Sequence, residues 1–307
     1  MRMTSSSKFS TAPRNKKSRR LEGLTALAFL SPALLLIALI VTFPLLYTLF
    51  QSGTDWVLTN PRPQQFIGLK NYAELTGDSR AVAALVRTVL LTVFSVGLQM
   101  VLGVGMAVEM NRHFFRRGLV RTLALLPIVA TPVAISLVFV IMMNPSSGIL
   151  NLGLKSLGLP PLAWIYGENT VLPSLVLVDT WQWTPFVMLI ALAGLATLPS
   201  EPYEAARIDG ATPWQTFSKI TLPLLMPTLF VALLFRTIDT LKLFDTIYAM
   251  TQGGPGTASE TVNLYLYTLG FTYFRMGYAS SLVIALFALI LGLALLLIKR
   301  RRQNALS

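Results

Sequence analysis

The chain has no cysteine, one histidine and only 12% charged residues in 307. Without cysteine there is no disulfide and no thiolate nucleophile, although the compartment stays undecided. With His113 alone, no serine has a histidine base in reach, and no histidine–carboxylate cluster offers a metal site. His113 sits in a basic turn and reads as a solvated polar side chain. No G-x-x-x-x-G-K-S/T loop occurs, so the chain itself is not expected to hydrolyse ATP, and no H-E-x-x-H is present. Together these absences argue against an enzyme. The start also lacks a signal peptide's form. Its basic region and its apolar run are both long, and no small-residue cleavage site follows.

What is present is apolar: 54% of the residues are hydrophobic. A formal charge of +12 raises the question of nucleic acid, but no aromatic–basic platform accompanies it. The positive charges instead cluster at Lys8–Arg20, Arg112–Arg121 and Lys299–Arg302, each beside an apolar run. That is the positive-inside pattern of a multi-pass membrane protein, whose partner is membrane lipid and not nucleic acid.

Six runs are long enough to span the hydrocarbon, which takes roughly 20 residues. They are Leu24–Phe50, Leu85–Met110, Leu119–Met143, Val171–Thr197, Leu222–Met250 and Tyr278–Ile298. An even number puts both basic tails, 1–23 and 299–307, on the cytoplasmic side of a membrane domain over 24–298. The outer loops are rich in Gly, Pro, Asn and aromatics, with Trp56, Trp164, Tyr166 and Tyr273 as candidate interfacial anchors. Prolines stud the spans, and Gly97, Gly103 and Gly105 could let the second span approach a neighbour closely. No repeat of 20–50 residues and no strong inverted symmetry is visible.

One polar island, 198–222, separates the fourth and fifth spans on the cytoplasmic side. Glu201-Pro202 opens a helix expected over 202–209, Gly210 stops it, and Pro213 opens a second short helix. Within it stand Glu204-Ala205-Ala206, three residues, Gly210, nine residues, then Ile220-x-Leu222-Pro223, with Asp209 before the glycine. Trp181-x-x-x-Pro185-Phe186 precedes the island, and Thr251-Gln252-Gly253-Gly254-Pro255-Gly256 follows the fifth span.

This set resembles the EAA motif and its surroundings in the membrane permeases of binding-protein-dependent ABC importers, and looks like their maltose/trehalose-type carbohydrate branch. The resemblance implies an all-α integral membrane protein of the type I importer class, with six transmembrane helices and a helical cytoplasmic coupling loop. It implies that Glu204, Ala205, Ala206, Asp209 and Gly210 couple the chain to an ATPase dimer. The further partners it implies are a second, homologous permease and an extracytoplasmic solute-binding protein. ATP and Mg would be held by the ATPase subunits, with no cofactor on this chain. The location it implies is the bacterial cytoplasmic (inner) membrane, with both termini cytoplasmic.

The fifth run carries Arg236, Asp239, Lys242 and Asp245 at steps of three. Charges at mid-bilayer avoid lipid and face protein or water. Each step of three drifts about 60° around a helix, so the four cannot share one face. Asp239, Lys242 and Asp245 therefore suit a self-neutralising ladder, while Arg236 and Asp239 remain open to either role. A better cavity face is Arg236, Thr240 and Leu243, matched in the fourth span by Asp179, Gln182, Trp183 and Phe186. In the resembled permeases the corresponding faces line the sugar path; Gln99 is a lesser candidate. Arg236 in mid-span also suggests an anionic cargo, such as a phosphorylated or sulfonated glycoside. Two rival readings stand beside these: an ion-coupled secondary transporter, and a membrane scaffold that moves nothing.

Overall fold

A computed structural model of the protein describes residues 16–112 and 115–304. The basic tails lie partly outside this range, and His113 wholly so. Among the described residues the chain is helical, with one isolated antiparallel bridge, Thr54 to Phe66. Five helices are long and apolar enough to cross a membrane: Ala28–Ser52, Ser79–Asn111, Val171–Leu195, Pro213–Leu241 and Met276–Arg300. One further helix pair, Arg117–Val129 and Pro132–Met142, is long and apolar enough when taken together and is bent by 95°, as in a broken span or a re-entrant loop.

Two spans depart from their expected form. The third was expected unbroken over Leu119–Met143. Pro132 disfavours the helical conformation at the residue before it, and Thr131 is extended, with ψ 144°. Ala130 is extended too, so the helix breaks there. The fifth was expected over Leu222–Met250. It begins earlier, at Pro213, passes through a π-helical turn at Phe217–Thr221, and ends at Leu241. Asp245–Met250 forms a separate short helix.

The fourth span is the hub. It packs along the second span and against the fifth, and two-thirds of its apolar window is buried. Two glycines permit this contact. A Cβ on Gly103 would lie 2.7 Å from Val187 Cβ, and one on Gly194 would lie 2.6 Å from Leu225 Cδ1. Gly97 and Gly105 face open space, so of the three glycines expected to allow close approach only Gly103 does. Val104, Ala107, Met188, Ala191, Leu225 and Leu229 fill the island end of this core. Leu91, Phe139, Leu175, Val178 and Ile247 fill the opposite end. The first span is different: Leu39, Ile40, Val41 and Phe43 are all exposed.

At the end away from the island, polar contacts tie the second span to the last loop and helices. Arg80 binds Glu260 through Nε and Nη2, both at 2.8 Å, and Glu260 is buried. The Asp78 carboxylate accepts from the hydroxyls of Tyr265 (2.7 Å) and Tyr278 (2.6 Å) and from the N–H groups of Arg80 and Ala81. Two expected interfacial anchors are held within this end. The Trp164 indole N–H donates to Asn151 Oδ1 at 2.8 Å, and the Tyr273 hydroxyl accepts from Arg80.

Candidate functional site

The island folds as a helical hairpin. Its first helix, Glu201–Ile208, has Glu201 and Glu204 in the first turn, where carboxylates favour the helix dipole. Gly210 then turns the chain at φ +69°, a left-handed conformation that costs other residues energy. The Ala211 N–H reaches back to the Ala206 carbonyl at 2.9 Å and closes the helix end. Thr212 and Gln215 form a capping box, with Pro213 in the first turn, and start the next helix.

That second helix is not a separate short one, as expected, but the start of the fifth span itself. Glu204, Ala205, Arg207, Asp209 and Gly210 are exposed. Ala206 was expected to let a partner approach, but it is buried against its own chain. Sequence reasoning missed two residues here. Ile208 is 86% exposed and Trp214 is 72% exposed, the latter packed on Phe217 at 5.7 Å between ring centroids. Both are apolar side chains held outward on a polar hairpin. An isoleucine inside an otherwise polar helix was the available signal. Behind the hairpin lies a cavity of about 630 Å³, bordered by Asn111, Arg112, Tyr203 and Arg207.

Near the middle of the bundle the second, fourth and fifth spans meet in a buried polar cluster. Arg236 is 1% exposed. Its Nε donates to Gln99 Oε1 at 2.8 Å and its Nη1 to Asp239 at 2.5 Å. Its Nη2 donates to Asp179 Oδ2 at 3.2 Å and to Thr240 Oγ1 at 3.0 Å. Gln99 Nε2 in turn donates to Asp179 Oδ2 at 2.8 Å. The ring of Trp183 lies 4.7 Å from the guanidinium carbon, in cation–π range, and Phe186 packs edge-on to Trp183. A buried charge is tolerable only when paired and hydrogen-bonded in this way.

Of the seven expected path residues, the structure therefore brings together Asp179, Trp183, Arg236 and Thr240, with Phe186 behind Trp183. Gln182 is buried beside them but donates to the Ala130 carbonyl at 3.3 Å, at the break in the third span. Leu243 does not share their face. The helix ends two residues before it, and Leu243 packs on the apolar core instead.

The charge ladder is likewise corrected. Asp239 pairs back to Arg236. Lys242 and Asp245 lie beyond the helix end, and among the described residues neither has an ion-pair partner. Gln99, the lesser candidate, is central. Its signal was the polar stripe Thr88, Thr92, Ser95 and Gln99 on one face of an apolar helix, and all four are buried.

One member of the cluster opens outward: the Asp239 side chain is 55% exposed. Lys242, Asp245 and Tyr248 continue the exposed side beyond it. A carboxylate facing lipid is costly, about 2.5–3.5 kcal/mol at mid-bilayer, which favours water or another protein beside Asp239.

The arrangement defines a class by its fold. The chain superposes on a chain of a bacterial alginate ABC transporter, solved in complex with an alginate pentasaccharide-bound periplasmic protein. The TM-score is 0.81 at 23% identity, over 95% of this chain and 98% of that one. This is the all-α fold of a type I ABC importer permease.

Residues 99–304 match the family of binding-protein-dependent transport system inner membrane components, and the chain belongs to that family. It is thus a multi-pass inner-membrane permease subunit. It is similar to the sulfoquinovosyl glycerol transport system permease protein SmoG of Agrobacterium fabrum, 36% identical over 87% of this chain and 86% of that one. It is also similar to the trehalose/maltose transport system permease protein MalF of Thermococcus litoralis, 36% identical over 80% and 85% of the two chains.

Proposed function

We propose that this permease carries a sugar or glycoside into the cytoplasm and is driven through its hairpin by separate ATPase subunits. The observation that supports this most is the continuity of one helix. Pro213–Leu241 starts in the exposed hairpin and ends beside Asp239. At about 1.5 Å per residue, its 29 residues reach about 43 Å. A push on the hairpin is therefore carried into a helix that runs on from Trp214 to the polar cluster. In this reading Glu204, Ala205, Asp209 and Gly210 form the outward face of the coupling loop, and Ala206 seats it on the bundle.

ATP and Mg belong to the ATPase pair, and this chain holds no cofactor. A second permease completes the path, and a solute-binding protein delivers cargo from outside. Both termini and the hairpin are cytoplasmic, in line with the basic residues near them. The sugar assignment draws on the trehalose/maltose and sulfoquinovosyl glycerol permeases to which the chain is similar. It also fits the side chains of the exposed face, since carboxylates bind hydroxyl pairs and aromatic rings pack on sugar C–H faces.

The test is uptake by the complete transporter reconstituted in vesicles. Glu204→Lys reverses a charge on the docking face. Gly210→Pro demands a negative φ where the chain holds +69°. Both are expected to lower ATP-driven uptake at least tenfold while the chain still inserts. Unimpaired uptake in both variants would remove the coupling role, and uptake driven by an ion gradient without ATPase subunits would replace the whole reading.

A further inference from the structure

The cluster around Arg236 bears on which sugars pass, an inference that rests on the proposal that the exposed Asp239 face lines the sugar path. A lone mid-span arginine would attract an anionic cargo. Here the guanidinium is enclosed. Its three nitrogens donate to Gln99, Asp239, Asp179 and Thr240, and Trp183 covers its face. Nothing of it is presented to a cargo.

The charge balance then points the other way. Two carboxylates, Asp179 and Asp239, surround one guanidinium, so the cluster has no positive charge left to offer. Asp179 is buried, which leaves Asp239 as the member that presents a carboxylate to the exposed side. Farther along, Lys242 and Asp245 are both exposed and opposite in sign, and they cancel at a distance.

We infer that this face admits neutral sugars and discriminates against anionic ones, and that Asp239 sets the discrimination. A cargo phosphate, sulfonate or carboxylate would approach a like charge in a partly desolvated channel, where such repulsion is weakly screened. A neutral sugar meets Asp239 only as a hydrogen-bond acceptor.

The experiment uses the complete transporter in vesicles: this chain, its partner permease, the ATPase pair and the binding protein. The probes are trehalose against trehalose 6-phosphate, and maltose against maltobionate. Each is followed as ATP-dependent uptake in the parent, in Asp239→Asn and in Lys242→Gln. The same binding protein serves all three, so its own preference cancels when ratios are compared.

Equilibrium binding of the radiolabelled probes to the purified permease–ATPase complex, without binding protein, reads the same preference if that protein excludes the anions. The parent is expected to favour the neutral probe of each pair. Asp239→Asn should raise the anionic-to-neutral ratio about tenfold, the effect of removing one nearby like charge. Lys242→Gln should lower it further. A ratio in Asp239→Asn within twofold of the parent, or a parent that prefers the anions, overturns the inference while the transport function stands. Failure of every probe to show ATP-dependent uptake would instead remove the function proposed above, and this inference with it.

Discussion

Arg236→Met is the most informative perturbation of the fold, because one side chain joins three spans. Methionine is close in length and unbranched, so packing is kept and the charge is lost. Asp179 would then be left as a buried carboxylate with Gln99 as its remaining side-chain donor. Breaking a buried pair from one side costs about 3–5 kcal/mol. Asp239 adds little, since it is half-exposed and can be solvated in place.

The companion variant separates this cost from lost packing. With Arg236→Met, Asp179→Leu and Gln99→Leu combined, no polar group of the trio remains to be satisfied. Apolar replacement of buried ionic groups is often neutral or stabilising, so the triple variant should return to within about 1–2 kcal/mol of the parent. The assay is a denaturant titration of the purified protein in lipid–detergent micelles, followed by circular dichroism. The reasoning is refuted if Arg236→Met unfolds within about 1 kcal/mol of the parent. It is equally refuted if the triple variant is less stable than the single one, since the cost would then lie in packing.

Two smaller perturbations test the bundle and its far end. Gly103→Leu places a side chain where even a Cβ would be 2.7 Å from Val187 Cβ and 3.1 Å from the Met188 nitrogen. It should cost several kcal/mol, and at least the roughly 1–3 kcal/mol of ordinary overpacking, whereas Gly97→Ala, facing open space, should be neutral or stabilising by up to about 1 kcal/mol in the same titration. Asp78 governs an acid-sensitive contribution. Burial opposes its ionisation, but the hydroxyls of Tyr278 and Tyr265 and the N–H groups of Ala81 and Arg80 outweigh that and hold its carboxyl below the usual range. A depressed folded-state pKa stabilises the protein above the ordinary carboxylate pKa of about 3.9, and this contribution is lost as pH falls through the folded value. Asp78→Asn should therefore flatten the fall in stability below about pH 4 and lower stability at neutral pH; an unchanged acid limb would show that the carboxylate is not ionised in that network.

The sequence by itself determined the membrane class and the hairpin, because these follow from local physics. A run of about 20 apolar residues has no other low-energy place than a bilayer or a core. The turn between the hairpin helices is encoded within a few residues by Gly210, Thr212, Pro213 and Gln215, each acting on its immediate neighbours. The break in the third span was latent in Thr131-Pro132, although prolines elsewhere, such as Pro185, sit inside an unbroken helix.

Other features were settled only by tertiary contact. No proline or glycine lies between Leu241 and Asp245 to announce the end of the fifth span, where Leu243 and Phe244 turn inward onto the apolar core. Above all, the sequence displays Arg236 as a charge but not its surroundings. Its partners Asp179 and Gln99 lie 57 and 137 residues away along the chain. A charge acts on a cargo only through what remains after its neighbours have neutralised it. Those neighbours are chosen by packing, so the sign of the exposed face belongs to the tertiary structure alone.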